Sequence, residues 1–462
     1  MWYFPGPMRL AYFSPLPPQR SGIADYSAEL VPCLAEHLEL ELFVDEGVRV
    51  DPEIRDRFPV HGERAFPGLW ERGRFDAVLY HLGNNPDFHS RIWRTLTAYP
   101  GILVLHEAMV HHLVRGMTLS KGDLEGYVEE MRYAYGRTGQ GLARRSLDTG
   151  IPLDVWSYPL FERAVDASLA VITHNEFTRQ RVLASRPLAR TSVIPHHVSL
   201  GELGTMDRES ARAALKLPPD AFVLASYGFI TPAKRLEVTL RAFARLRKER
   251  PDALYLLVGE VSPHYDLAGI LTPELSGGVV LVGHTELDDF LRYMVAADVA
   301  VNLRYPTAGE TSGTLIRLLG LGKPVIVSNL GAFSEIPDGA CAKVDLDESE
   351  EDLLFSYLQA LAADEGLRRA MEENARNHVA PHTPAASARA YAEVVRSVVE
   401  ERPAPFRAVP PLARAAAGDV LADLAAEVSA EAVDLGVGET DDDLLRELAL
   451  VFVDLNLDGV NP

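Results

Sequence analysis

The stretch "GETSGTLIRLLGLGKPVIVSN" runs from Gly309 to Asn329. It reads as an acidic residue, a cluster of small polar residues, one short helix and a buried strand. The first turn of a helix carries unpaired amide hydrogens and a partial positive charge. Small residues there let an anion approach the backbone. Thr311, Ser312 and Thr314 add hydroxyls around Gly313, so the stretch predicts an anion cradle at a helix start. Simple capping by Ser312 is the alternative. Gly313 and Arg317 lie four apart, on one helix face. Arg317 can then sit beside the cradle and bind phosphate bidentately. An exposed arginine or a structural ion pair is the alternative there.

The pattern extends outward. "FVLASYG", "LYLLVG", "VVLVG", "VAVNL" and "PVIVS" are short apolar strands separated by helical patterns. The pattern pauses at about 200–218. Before the pause stand "RLAYFS", "LELELFV", "AVLYHL", "ILVLH", "LAVITH" and "SVIP", again with helices between. Apolar strands alternating with helices argue for α/β architecture, with parallel sheets covered on both faces. Two doubly wound, Rossmann-like domains facing a cleft follow, and such a cleft is a natural ligand site. The boundaries read as 1–200 for the N-terminal domain, 201–384 for the C-terminal domain and 385–401 for a helix. Residues 402–462 read as a proline-rich connector, "RPAPFRAVPP", and an acidic helical tail. The terminal "DLNLDG" matches only the first half of a calcium loop, without a closing Glu.

Composition narrows the function. The chain has 462 residues and a formal net charge of −21. Such a chain repels phosphate backbones, so no nucleic-acid partner is expected. The basic run "RLRKER" from Arg245 sits on a helix pattern and reads as a solvated face. Cys33 and Cys341, far apart in apolar surroundings, fit a reducing compartment. No leader-like segment and no spanning apolar run is read, so a cytoplasmic location is expected, compatible with peripheral contact at the inner membrane face. Oligomeric state is left open.

A second phosphate-type loop precedes these. "SPLPPQRSGIADYS" follows the first strand and opens a helix, with Gly22 at the turn, where a missing side chain permits close backbone approach. "LHEAMVHHL" ends another strand with His106 and Glu107. A zinc reading fails there, because Glu107 and His111 lack the H-E-x-x-H spacing.

Together these segments resemble the retaining glycosyltransferases of family 4 (glycosyltransferase group 1), which have the two-domain GT-B fold. The resemblance runs from about Arg9 to about Val395. It rests on "SGIADYS", "LHE", "YGFITPAKRL", "LLVGE", "GHTELDDFLRYMVAADVAVNL", "GETSG", "GKPVIVSN" and "SEIPDG". It implies a nucleotide-sugar on the C-terminal domain and an acceptor on the N-terminal domain. It implies a glycosyltransferase of the hexosyltransferase type that retains anomeric configuration and needs no metal or other cofactor. The acceptor would be a sugar, a lipid-linked molecule or a polymer. The family's lysine six residues after the strand-closing glycine is Lys234, after Gly228. The family's arginine directly after that glycine is replaced by Phe229. The first member of the family's carboxylate pair is Glu310; the second is absent, with Arg317 or Leu318 in its place. Arg317 is therefore expected to replace part of the missing arginine. The resemblance assigns His106, Glu310 and Lys234 to catalysis, and Gly22, Lys234, Thr311, Ser312, Gly313, Thr314 and Arg317 to the donor. Gly83, Asn84 and Glu107 are read as the acceptor side, and Glu260 as a position near the nucleotide. Two alternatives stand beside this reading: a GT-B nucleotide-sugar epimerase, and a non-catalytic nucleotide-sugar-binding subunit.

Overall fold

A computed structural model describes residues 8–401. The connector and tail read at 402–462, with the calcium-like "DLNLDG", lie outside the described residues.

The first sheet has seven parallel strands: β1 (Arg9–Phe13), β2 (Glu39–Val44), β3 (Val60–Gly62), β4 (Ala77–Leu82), β5 (Ile102–Leu105), β6 (Ala170–Thr173) and β7 (Thr191–Val193). Their order is β3-β2-β1-β4-β5-β6-β7. The second has six: β8 (Val223–Tyr227), β9 (Leu254–Val258), β10 (Val279–Gly283), β11 (Val299–Asn302), β12 (Val325–Ser328) and β13 (Ala342–Val344), in the order β10-β9-β8-β11-β12-β13. The central strands are buried along almost their whole length because helices cover both faces; all six residues of β4 are buried. The pattern of apolar runs reads six and five strands. The two it passes over, β3 and β13, are three-residue edge strands of mostly half-buried residues, too short to leave a periodic signal.

In each sheet the strand order reverses once, between β1 and β4 and between β8 and β11. A ligand crevice forms outside the carboxyl ends of the strands at such a point. The loops that follow these four strands carry the residues read as functional.

The helix Pro384–Glu400 follows the second domain but packs on the first. Its Ala388, Tyr391, Ala392 and Val395 join Leu30 and Leu34 of the helix Gly22–Leu34 in one apolar core. The Tyr391 and Tyr26 hydroxyls lie 2.9 Å apart within it. The chain thus crosses between the domains twice. No helix among the described residues is long and apolar enough to cross a membrane.

One buried ion pair ties the second domain together. The Arg212 guanidinium donates to Asp298 at 2.7 Å and to the carbonyls of Ala296, Pro219 and Ala221. Asp298 also accepts from the Val223 amide at 2.7 Å. Arg208 also pairs with Asp298, at 2.5 Å, so removing Arg212 leaves the carboxylate a partner but takes the donor from three carbonyls. Arg212→Ala is expected to cost roughly 2–4 kcal/mol, read as a lower urea midpoint at unchanged slope.

Candidate active site

The decisive helix spans Gly313–Gly320. Ser312 is its N-cap, and the Ser312 hydroxyl accepts from the Leu315 amide at 3.3 Å. Ser312 therefore serves the helix, and of the four small residues it is the one that does not face the cleft. Thr311, Gly313 and Thr314 do face it, together with Arg317 and Glu310. Across the cleft stand Gly22, Gly83, Asn84, His106 and Glu107. The space between has a volume of about 980 Å³, large enough for a nucleotide-sugar-sized ligand.

Lys234 lies just behind the wall. A Cβ built at Gly228 would meet the Lys234 Nζ and the Thr314 Oγ1, each at 3.5 Å. Gly228 has φ +79°, in the left-handed region that favours glycine, while the 3.5 Å contacts are ordinary van der Waals ones. The ammonium donates to the Tyr227 carbonyl. Burial lowers its pKa to about 7; Arg304 adds to this and Glu310 opposes it. An anion placed at Gly228 would reverse that shift.

Glu310 is held from its own loop. Its carboxylate accepts from the Ala308 amide at 2.9 Å and lies 3.0 Å from the Arg304 Nε. Arg304 is a residue the sequence reading missed. Its signal was its place just past β11, at the strand end that opens on the cleft. Glu107 accepts from the Asn84 amide at 2.9 Å. Desolvation, and then the nearby Glu310, push Glu107 up to about 8. At neutral pH it is mostly a neutral carboxyl, able to donate a hydrogen bond.

The acceptor-side residues reach the cleft, with different tasks. The Asn84 side chain accepts from the Leu113 amide and donates to the Met109 sulfur. It braces the segment that carries Glu107. A Cβ at Gly83 would lie 2.7 Å from Ile23 Cδ1 and 3.0 Å from His89 Nε2, so this glycine permits close packing.

His106 differs most from its expected role. The His174 Nδ1 faces the Ile194 carbonyl at 2.9 Å, which can only accept. His174 is held neutral by burial, at about 4, so its Nε2 carries a lone pair. His106 Nδ1, 3.2 Å away, must donate to it. His106 Nε2 then accepts from His81 Nδ1 at 2.8 Å. Both His106 nitrogens are engaged, and His106 offers the cleft its carbon edge. The far end of this chain, His81 Nε2, is buried and finds no partner among the described residues. These rings pack around Tyr26, T-shaped or tilted, and among the described residues no group of three or more ligand-type side chains is arranged to hold a metal ion.

Arg317 does lie beside Gly313: a Cβ there would be 3.4 Å from Arg317 Nη1. Yet its Nη2 donates to Glu29 Oε1 at 2.7 Å, across to the first domain. The structural ion pair that sequence left open is present, and the guanidinium is partly neutralised. Arg317→Met is expected to weaken binding of a diphosphate, and Glu29→Gln to strengthen it, each by roughly three- to tenfold, about 1 kcal/mol. Calorimetric titration of both variants checks the opposite signs.

Residues 207–378 match the family model described as glycosyl transferases group 1. The matched segment is well under half of the chain and is similar to that family. The chain is 32% identical over 203 residues to a D-inositol 3-phosphate glycosyltransferase of Actinosynnema mirum, covering 41% of this chain and 48% of that one. It is 28% identical over 257 residues to D-inositol 3-phosphate glycosyltransferase 2 of Catenulispora acidiphila, covering 52% and 58%. The chain thus spans about half the length of the curated relatives it matches. Among solved structures, sucrose-phosphate synthase from Thermosynechococcus elongatus superposes with a TM-score of 0.61 at 17% identity, covering 86% of this chain and 100% of that one. Anabaena HepE in complex with UDP gives 0.58 at 16%, covering 84% and 100%. These likenesses show the fold: the group 1 segment is the second half of a GT-B architecture.

Proposed function

We propose that the chain transfers a glycosyl group from a nucleotide-sugar to an acceptor hydroxyl, with retention of configuration and without a metal ion. The observation that carries this reading is the convergence of Lys234, Thr314 and the Gly313 helix start on the open backbone at Gly228. Three kinds of anion donor meet at one point: an ammonium, a hydroxyl and helix-terminal amides. The group 1 match lends support, as does a fold neighbour in complex with UDP.

In this mechanism the acceptor hydroxyl attacks the anomeric carbon on the face from which the diphosphate leaves. Negative charge collects on the leaving group, and the donors at Gly228 stabilise it. The acceptor proton passes to the departing phosphate oxygen. Glu310 and the neutral Glu107 stand where hydroxyls of the transferred sugar would bind. The second domain holds the nucleotide-sugar and the first domain the acceptor. Contact between the domains excludes water and limits donor hydrolysis.

The test is a thermal-shift screen with UDP, GDP, ADP and CDP and their sugars, without metal. Binding to the native state raises the melting temperature by linkage. A selective rise with one nucleotide, lost in Lys234→Ala, supports the reading; no rise at millimolar ligand sinks it. A non-catalytic binding subunit is the second reading, favoured by Phe229 and by the Arg317–Glu29 pair. It predicts nucleotide binding with neither transfer nor slow donor hydrolysis.

A further inference from the structure

The loop that carries Glu310 belongs to the second domain, yet the first domain holds it. The Ala108 and Met109 amides donate to the Ala308 carbonyl at 2.7 and 3.2 Å. The Thr178 hydroxyl donates to the Gly309 carbonyl at 2.7 Å. The Asn175 side-chain amide donates to the same carbonyl and to Thr311 Oγ1, each at 2.9 Å. Gly309 fits there because it has no side chain: a Cβ would lie 3.0 Å from the Thr178 hydroxyl and 3.2 Å from the Phe177 ring, and its φ is +78°. In return, Glu335 of the second domain accepts from the Glu176 and Phe177 amides at the start of the helix Glu176–Ser185.

Asn175 is buried and uses every polar atom of its side chain. Its Oδ1 caps that helix through the Thr178 amide at 2.8 Å. Its Nδ2 is the donor to the loop. The bond to Thr311 has a chemical consequence. A hydroxyl that accepts from Asn175 keeps its own proton for another partner. Thr311 faces the cleft beside Gly313, so that proton is available to a ligand anion. Accepting one hydrogen bond also polarises the hydroxyl as a donor.

We propose that Asn175 is a positioning residue of the donor site: it reaches across from the first domain, fixes Gly309 and turns the Thr311 proton toward the leaving diphosphate. The cradle on the second domain is then complete only when the two domains are in contact. This rests on the nucleotide-sugar reading above. It goes beyond it by making donor affinity depend on a residue outside the group 1 segment.

The experiment uses the full chain and, as probe, whichever of UDP, GDP, ADP and CDP the wild type binds most tightly by calorimetry. Asn175→Ser and Asn175→Asp both keep an N-cap, since Ser and Asp cap as well as Asn. A carboxylate has no proton to donate, and the shorter serine side chain, with one O–H, cannot supply both bonds to Gly309 and Thr311. Both variants are expected to melt close to wild type and to bind the probe roughly tenfold more weakly. Thr311→Val is expected to lose a similar factor, and Asn175→Ser with Thr311→Val no more than either alone, because the two act through one bond. Additive losses overturn the proposal, because they mean that Asn175 acts elsewhere. So does affinity within twofold of wild type in Asn175→Ser, whatever Asn175→Asp shows, since a loss confined to Asp is a charge effect. If Asn175→Ser does not fold, the coupling is read with Asn175→Asp. A wild type that binds none of the four nucleotides overturns the nucleotide-sugar reading as well; one that binds while the variants are unaffected leaves that reading standing.

Discussion

Taking the protein from pH 7 to pH 5 is expected to cost roughly 4 kcal/mol of stability, most of it below about pH 6.5. The cause is the set of buried imidazoles. Burial lowers His89, His111 and His174 to about 4 and His197 to about 3. His81, His106 and His196 move the same way. A histidine with a lowered folded pKa stays neutral while the unfolded chain takes up its proton near 6.5. Between there and the folded value, the unfolded state binds more protons, so stability falls as pH falls. Carboxyls raised by burial oppose this, Asp25, Glu29, Glu130 and Glu162 among them. Glu107 is raised to about 8 and Asp45 to about 6, mainly by burial, so the folded state holds their protons in this window. The four histidines with assigned values, less these two carboxyls, leave a net difference that grows from about zero at pH 7 to about two protons at pH 5, at ~1.4 kcal/mol per proton and pH unit. That is a large share of a total stability of about 5–15 kcal/mol. Melting curves from pH 7 to 5 measure this directly. A flat melting temperature would mean that the histidine core opens to water or takes up protons at little cost.

Lys234→Ala is expected to lower kcat/KM by about 10²–10³-fold, the effect of deleting one preorganised donor to a developing anion. The loss should fall mainly on kcat, because charge on the diphosphate grows toward the transition state. A second signature precedes chemistry. The free ammonium titrates near 7 because it is buried, with Arg304 nearby. A bound diphosphate raises that pKa. At pH 8 the free protein is largely deprotonated at Lys234, so binding should take up a proton, up to about one per site. Calorimetry in buffers of different ionisation enthalpy reads it. Proton uptake that persists in Lys234→Ala would assign the titration to another group.

Much of the site was legible because the cues are local. A strand end, a run of small residues and a helix start lie within one stretch, and the backbone physics of a helix terminus needs nothing more. Gly22, Gly313 and Thr314 line the cleft for that reason. Lys234 came only from the family resemblance, which puts a lysine six residues after Gly228, and it meets Thr314 there. The helical spacing from Gly313 to Arg317 also placed those two side by side. What was not legible depends on partners distant in sequence. Arg317 finds Glu29, and His106 finds His81 and His174. A histidine at a strand end looks available until its neighbours on adjacent strands are known. Arg304 and Asn175 carried no motif; their importance lies in what they touch across the sheet ends and across the domains.

The sequence by itself determined two parallel-sheet halves, the small-residue helix start that faces the cleft and the crossing helix near the end of the described chain. Apolar periodicity and backbone polarity are properties of short segments, and they survive any arrangement of the rest. Tertiary structure alone decided which side chains are free to act. Hydrogen-bond capacity is finite, and a donor already used by a neighbour has nothing left for a ligand. That is why His106 and Ser312 became part of the framework, and why the second domain's cradle came to lean on Asn175 of the first.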